Sequence, residues 1–278
     1  MIILSGEPVA EKLKADLADD IMKFKPVVAA IHNEADPSAK SYMKRQKSVC
    51  EKNGVQYDLY EVGKKTPDDI LAQIEKVAKD SRVTGITVHH PMPKGCDENK
   101  VMAAVPPNKD IEATHPLNLG RVEQGAVGPQ PVAARGAIEI LRAHKADCSG
   151  LEAVVVGRSA MIGKAAALML LNFGRQAPTV TVCHSGTRDL EAHLKRADIV
   201  VVAIGKAKQV KVCKPGAILL DIGINYDKDG KLCGDVDFDA LKEIAGAITP
   251  VPGGVGPVAL AVFLKNIVEC ARLCRATS

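Results

Sequence analysis

Aromatic residues are scarce in this chain of 278: there is no Trp, and four Phe and four Tyr make up 3 %. Its core must therefore be packed with Val, Ile, Leu and Ala, and a stacking platform for single-stranded nucleic acid has too few members to form. Neither sign of charge dominates. With 37 basic and 33 acidic residues the net charge is +4, too balanced to imply a nucleic-acid or membrane partner. No run approaches the roughly 18 continuous apolar residues of a membrane span. The N-terminus, MIILSGEPVAEKLKADL, turns amphipathic at once and lacks the pattern of a secretory signal, so a cytoplasmic location is expected. The eight cysteines are scattered, and none forms a C-x-x-C pair. Cys270 and Cys274 lie one helical turn apart, a spacing that could hold a metal. Without a second pair or a nearby His they read as free thiols, and no metal site is expected.

What is present is an alternation of strands and helices. Residues 7–23 read as an amphipathic helix and 26–32, PVVAAIH, as a buried strand. A helix follows from about Ser38 to Asn53, closed by Gly54, then a strand over 56–62. Thr66-Pro67-Asp68-Asp69 caps a helix running to about Lys79. A strand over 85–89 ends in the turn Pro91-Met92-Pro93, and another helix follows Asp97. Between about 104 and 131 prolines crowd in (Pro106, Pro107, Pro116, Pro129, Pro131) and apolar periodicity fades, which marks an inter-domain crossing. A second series has strands at 152–156, 179–183, 199–204 and 217–222, a short one near 247–249, and a last apolar helix over 257–274. The expectation from this alternation is an α/β protein with mostly parallel sheets, in two parts either side of the crossing.

The sharpest chemical signal is AVVVGRSAMIGKAAALMLL, residues 153–171. An apolar strand stops at Gly157 and a helix starts near Met161. Gly157 and Gly163 lie six apart, one more than the outer glycines of G-x-G-x-x-G. Glycine at such a turn lets backbone N–H groups approach a pyrophosphate, whose charge the helix N-terminus favours; a plain strand-to-helix turn is the competing reading. Arg158 and Ser159 could hold a ribose 2′-phosphate. The next strand ends in His184-Ser185, where an NAD site would place Asp or Glu. NADP is therefore expected over NAD.

The runs VVVGRSAMIGKAAALMLL, TVTVCHSGT, ADIVVVAIGK, KPGAILLDIGIN, GDVDF and ITPVPGGVGPVALAVFLKN resemble the dehydrogenase/cyclohydrolase family of one-carbon folate metabolism, across essentially the whole chain. That family oxidises 5,10-methylenetetrahydrofolate with NAD(P)+ to the methenyl form and hydrolyses this to 10-formyltetrahydrofolate. The resemblance implies two domains with a cleft between them: an N-terminal α/β substrate domain over 1–130, completed by the C-terminal helix 257–278, and a Rossmann-type dinucleotide-binding domain over 131–256. A homodimer and a folate-like substrate are implied as well. It also implies a dinucleotide held by Gly157, Arg158, Ser159, Ile162, Gly163, His184, Ser185, Gly205, Ile224, Thr249 and Gly253. On the substrate side it implies Tyr42, His89, Pro91, Glu112, Gly254 and Pro257. The run Thr249-Pro250-Val251-Pro252-Gly253-Gly254 reads independently as a rigid loop with exposed N–H groups.

The folate side departs from the family pattern. In Tyr-Val-x-x-Lys the tyrosine is Tyr42, but the lysine position is Gln46; four apart, the two share a helix face. Val-Gln-Leu-Pro-Leu-Pro becomes Val88-His89-His90-Pro91-Met92-Pro93, and Lys-Asp-Val-Asp-Gly becomes Lys109-Asp110-Ile111-Glu112-Ala113. Of the two histidines His89 is expected to face the cleft, either as a base or substrate contact or as a polar strand end. A His89–Glu112 metal pair lacks a third ligand. Tyr42, Gln46 and His89 are the candidate catalytic residues. The family lysine is credited with the hydrolytic half, and an amide cannot pass protons as an amine does. The expectation is an NADP-dependent methylenetetrahydrofolate dehydrogenase without cyclohydrolase activity. A family member redirected to another one-carbon carrier or small substrate, and a nucleotide-binding protein without catalysis, stay open beside it.

Overall fold

The structure, a computed structural model, describes residues 1–145 and 147–276. Ala146, Thr277 and Ser278, inside the two expected domains, lie outside the described residues. In chain order the elements are β1 (Ile2–Ile3), α1 (Glu7–Phe24), β2 (Val27–His32), α2 (Pro37–Lys52), β3 (Gln56–Glu61), α3 (Pro67–Lys79), β4 (Gly85–Val88), α4 (Glu98–Ala104) and α5 (Pro116–Glu123). Then come α6 (Val132–His144), β5 (Glu152–Val156), α7 (Ala165–Leu171), β6 (Thr179–Cys183), α8 (Leu190–Arg196), β7 (Ile199–Val202), β8 (Ile218–Asp221), β9 (Asn225–Tyr226), β10 (Leu232–Cys233), α9 (Phe238–Leu241), β11 (Ala247–Ile248) and α10 (Val255–Ala276). No helix among the described residues is long and apolar enough to cross a membrane.

The chain divides into two compact α/β units. One holds residues 1–12, 122–125 and 133–261; the other holds 13–121, 126–132 and 262–278. The first is built on a six-stranded parallel sheet of order β1-β11-β8-β7-β5-β6. The second has a three-stranded parallel sheet of order β3-β2-β4. Residues 1–12 thus belong with the six-stranded unit, because Ile2 and Ile3 pair with Ala247 and Ile248. Two residues of strand carry too little pattern to be read from sequence. The proline-rich stretch also holds a helix, α5, that its weak periodicity hid. Pro116 opens it, where a missing N–H costs nothing.

Local chemistry explains the elements that were expected. Thr66 and Asp69 form a reciprocal capping box at the start of α3, with Pro67 in the first turn. The Asp97 carboxylate accepts the N–H groups of Asn99 and Lys100 at the start of α4. Val154, Val156, Val200, Val202, Leu219 and Ile248 fill one aliphatic core of the six-stranded unit. The three-stranded sheet has two unlike faces. Ala29, Ile31 and Ile86 join Ile70, Ile74, Val77 and Val101 of α3 and α4 in an apolar core. Alternation sends Tyr57, Thr87 and His89 to the other face.

Candidate active site

In the six-stranded unit the chain leaves β5, pairs β6 on one side and then β7 on the other. Such a reversal opens a crevice at the carboxyl ends of the two central strands, the usual ligand position in doubly wound sheets. Gly157 ends β5 there with φ +126°, and a Cβ on it would lie 2.2 Å from the Ala203 carbonyl oxygen. Gly163 is equally constrained, with a Cβ position 2.2 Å from the Gly157 oxygen. Helix does not begin directly at Met161. Ala160–Lys164 form one wider π turn, entered at Ser159, whose hydroxyl accepts the Gly163 N–H at 3.5 Å. The longer turn accounts for the extra residue between the two glycines. Arg158, Ser159, Ser185 and Gly186 are exposed, and Ile162 is half-buried. His184 is exposed too, and its Nδ1 accepts the Gly186 N–H at 3.0 Å.

The loop after β7 is fixed by a residue that sequence reasoning passed over. The Asp235 carboxylate accepts N–H groups from Ile204 (2.6 Å), Gly205 (3.0 Å) and Lys206 (2.7 Å), and the Asn225 amide at 2.9 Å. Asp221 in turn accepts the N–H groups of Gly223, Asp235 and Val236. Burial pushes the Asp221 carboxyl up to about 6. The signal was present in GDVDF but carried no assignment. Thr249 is buried and its hydroxyl accepts the Asp221 N–H at 2.8 Å. Ile224 is 61 % exposed. Gly253 has φ +100°, and a Cβ on Gly254 would meet the Pro250 oxygen at 2.5 Å. Gly6, also unflagged by sequence, donates its N–H to the Gly253 carbonyl at 2.8 Å. Pro257 lies in the first turn of α10.

The three-stranded unit carries a polar network on its non-apolar face. Gln46, on α2, is fully buried and donates from Nε2 to Glu112 Oε1 at 2.7 Å. Thr87 Oγ1 donates to the same oxygen at 3.3 Å. At the other end of the amide, Gln46 Oε1 lies 2.7 Å from His89 Nε2 and 3.3 Å from the Tyr57 hydroxyl, which donates to it. The Tyr57 hydroxyl is also 3.3 Å from His89 Nε2. An amide oxygen only accepts, so His89 carries its proton on Nε2. Burial, then the neighbouring His32 and His90, pull the His89 imidazole down to about 3, so it is neutral. Tyr42 is 37 % exposed, but burial of its hydroxyl end and then Glu112 push that hydroxyl up, with Gln46 opposing the rise. Its ring meets His89 edge-on at 6.5 Å.

Glu112 therefore accepts two neutral donors and, among the described residues, no cation. Burial pushes its carboxyl up to about 7; Asp110 adds to the rise, while Gln46 and Thr87 oppose it. The segment carrying Glu112 is held by buried Asn266 of α10, whose Nδ2 donates to the Ile111 and Gln130 carbonyls, both at 2.7 Å. His90 is exposed and lies 3.3 Å from Glu98, away from the network. Pro91 is exposed, and its carbonyl accepts the Asn33 amide at 2.9 Å. Four residues singled out by sequence, Tyr42, Gln46, His89 and Glu112, thus meet in one unit. Tyr57 and Thr87 complete the cluster and were missed. Their only sequence signal is alternation that places polar-tipped side chains on the face shared with His89.

A doubly wound nucleotide-type unit with glycine-enforced turns, and a second α/β unit presenting an anchored carboxylate, define the class of two-domain NAD(P)-binding proteins. Residues 131–275 match the NAD(P)-binding domain, and residues 4–112 the catalytic domain, of tetrahydrofolate dehydrogenase/cyclohydrolase. The chain belongs to that family. It is 42 % identical to the bifunctional protein FolD of Magnetococcus marinus over 97 % of each chain. The bifunctional FolD methylenetetrahydrofolate dehydrogenase/cyclohydrolase of Campylobacter jejuni superposes with a TM-score of 0.93 at 33 % identity, covering 98 % of this chain and 99 % of that one. The Trypanosoma brucei enzyme complexed with NADP and an inhibitor gives a TM-score of 0.90 at 27 % identity, covering 100 % and 98 %.

Proposed function

We propose that this protein is an NADP-dependent methylenetetrahydrofolate dehydrogenase that has lost cyclohydrolase activity. The observation that carries the reading is the amide at position 46, buried between Glu112 and His89 with both of its ends engaged. Hydrolysis of a methenyl carbon needs a group that activates water and passes protons. Gln46 cannot ionise, and His89, neutral and pulled down to about 3, has its Nε2 proton committed to Gln46. Oxidation makes no such demand, because the methylene carbon loses a hydride and the product is a cation without deprotonation.

When bound, NADP+ accepts that hydride. The residues present fit it: the Gly157–Gly163 turn leaves no room for a Cβ and keeps backbone N–H groups approachable, and exposed Arg158 and Ser159 offer a cation and a hydroxyl suited to a 2′-phosphate. Asp235 holds the Gly205 loop rigid. On the substrate side, Glu112 Oε1 is occupied by Gln46 and Thr87, while Oε2 takes no hydrogen bond from the described residues and is free to accept an N–H of a pterin-like ring. The same reading includes a cytoplasmic location, expected from the N-terminal sequence and the scattered cysteines, a homodimer, as the family resemblance suggests, and domains bounded near 130 and 257.

The test is spectrophotometric, with methylenetetrahydrofolate and each of NAD+ and NADP+. Methenyl product formed preferentially with NADP+, and a hydrolysis rate no higher than that of buffer, is the expected result. No methenyl product with either cofactor defeats the reading. A redirected substrate is favoured by one observation, the absence of any cation beside Glu112 among the described residues, and in that case a folate analogue fails to bind in a calorimetric titration with NADP+ present.

A further inference from the structure

We propose that Tyr57 is a positioning residue that acts, with His89, through the Gln46 amide to aim the Glu112 carboxylate at its ligand. The inference rests on the folate-type reading of Glu112 for its kinetic test and on geometry alone for its second test.

A primary amide has two ends that differ only in which is donor and which is acceptor. Left alone, the Gln46 side chain could turn over and set its oxygen against Glu112. The Glu112 carboxylate, which only accepts, sets the amide N–H toward itself, and two donors at the far end hold that arrangement. The Tyr57 hydroxyl at 3.3 Å and His89 Nε2 at 2.7 Å both converge on Oε1. A turned amide would set its oxygen against the carboxylate and would require His89 to move its proton to Nδ1, which has no partner among the described residues. Tyr57 and His89 therefore keep Nε2 of Gln46 on Glu112, 2.7 Å away. That bond and the Thr87 hydroxyl both fall on Oε1, which fixes the rotation of the carboxylate and leaves Oε2 for a ligand.

The Tyr57–Gln46–His89 end of this network lies away from water. Tyr57 is 8 % exposed, His89 3 % and Gln46 0 %. A hydroxyl on a strand face so well buried would be costly if it made no hydrogen bonds, and Phe would pack there as well without it. The groups that face Glu112 are Gln46 and Tyr42 from α2, Tyr57 from β3, Thr87 from β4 and Asp110 from its own segment. Burial pushes both tyrosine hydroxyls up, so neither ionises in the working range. Asp110 is tied to Thr114, His115 N–H and Asn118 and does not touch the amide. His89, the other titratable group on the amide, is pulled down to about 3, so in the working range it is the titration of Glu112 that reports on the amide's orientation.

The experiment compares the full-length protein with Tyr57→Phe, which removes only the hydroxyl. Weaker donation to Glu112 raises its pKa, so the acid limb of kcat/KM moves to higher pH. KM for methylenetetrahydrofolate rises roughly two- to tenfold, the size of one neutral hydrogen bond, with kcat little changed. His89→Leu, which removes the other donor, gives the same pair of effects, and His89→Gln, which keeps an N–H donor, restores them in part. The second test needs no substrate: 13C NMR titration of the Glu112 carboxyl should show a higher midpoint in Tyr57→Phe than in the parent. If the parent oxidises no methylenetetrahydrofolate, the functional reading falls while this titration still decides the positioning role. A Glu112 midpoint unchanged in a folded Tyr57→Phe protein overturns the proposal.

Discussion

The six-stranded unit and the three-stranded unit hold their functional groups in place by different means. At the nucleotide-type turn the work is done by backbone. Gly157, Gly163, Gly205 and Gly253 are where they are because no side chain fits or because φ is positive. On the polar face of the other sheet it is done by side chains: Tyr57, Gln46, Thr87, His89 and Glu112 share donors and acceptors on an ordinary helix and ordinary strands. A site made of backbone tolerates little substitution, since a Cβ collides with backbone at Gly157 and Gly163 and meets a strained φ at Gly205 and Gly253. A site made of side chains can exchange one set of donors for another while α2, β3 and β4 stay as they are. That difference explains how a chain can keep its family's nucleotide turn and still carry Gln, His and Glu where the family pattern has Lys, Gln and Asp.

The contrast is tested most severely at Gly163. Its Cβ would lie 2.2 Å from the Gly157 oxygen and 2.9 Å from the Arg158 nitrogen, both backbone atoms that cannot swing aside. Gly163→Ala should lower stability by on the order of 3 kcal/mol, read by urea denaturation, and abolish measurable NADP+ binding. If the variant binds NADP+ like the parent, the turn is not what approaches the cofactor. Gln46→Lys probes the other side. A lysine there replaces an N–H donor by an ammonium beside Glu112, so the fold should survive. If position 46 decides hydrolysis, methenyltetrahydrofolate conversion should then rise above the buffer rate, by up to roughly 10²-fold given the usual size of proton-handling effects. An unchanged rate in a folded variant would falsify the link between this position and lost hydrolysis.

The same contrast governs how much of the molecule is legible in its sequence. Turns enforced by glycine leave marks there, so the strand stopping at Gly157 and the loop through Gly253 were legible, as were α1, α2, α3 and the buried strands of both sheets. The π turn at Ala160–Lys164 was not, because an extra residue in a turn has no periodicity of its own. Of the side-chain site, Tyr42, Gln46, His89 and Glu112 were legible only as departures from a family pattern. That pattern says which positions matter but not which atoms bond. Tyr57 and Asn266 were invisible for another reason: each bonds partners on other elements, Tyr57 bonding Gln46 and His89, and Asn266 bonding Ile111. Nothing local distinguishes either from a residue filling space.

Arg158 offers a smaller test, within the backbone-built region but on an exposed side chain. The turn is held by backbone and by the Ser159 hydroxyl, so Arg158→Ala should fold normally. Loss of one charge-assisted hydrogen bond to a phosphate should raise KM for NADP+ about tenfold or more and leave KM for NAD+ nearly unchanged. Equal changes for the two cofactors would remove Arg158 from 2′-phosphate recognition.

The gentlest probe is the pH dependence of stability, and its sign follows from Glu112. Its folded-state pKa, about 7, lies above the value of 4.5 expected when unfolded. Between those two values the folded protein binds more protons than the unfolded chain, so the Glu112 contribution is most favourable at low pH and is lost as pH rises through the window. Asp221, pushed up to about 6, acts in the same direction. His89, pulled down to about 3, acts in the opposite one: its neutral form is favoured in the fold, and stability gained from it grows as pH rises toward 6.5. The summed profile hides each group, so the measurement must be a difference. Urea midpoints of the parent and Glu112→Gln, taken at pH 5 and pH 7.5, isolate the carboxyl, because Asp221 and His89 are common to both. The variant should lose stability relative to the parent at pH 5 and recover part of that loss at pH 7.5, where the parent must bury an ionised carboxylate with only Gln46 and Thr87 to solvate it. A difference independent of pH would mean that Glu112 is ionised throughout, held by solvent and not by the side-chain network of α2, β3 and β4.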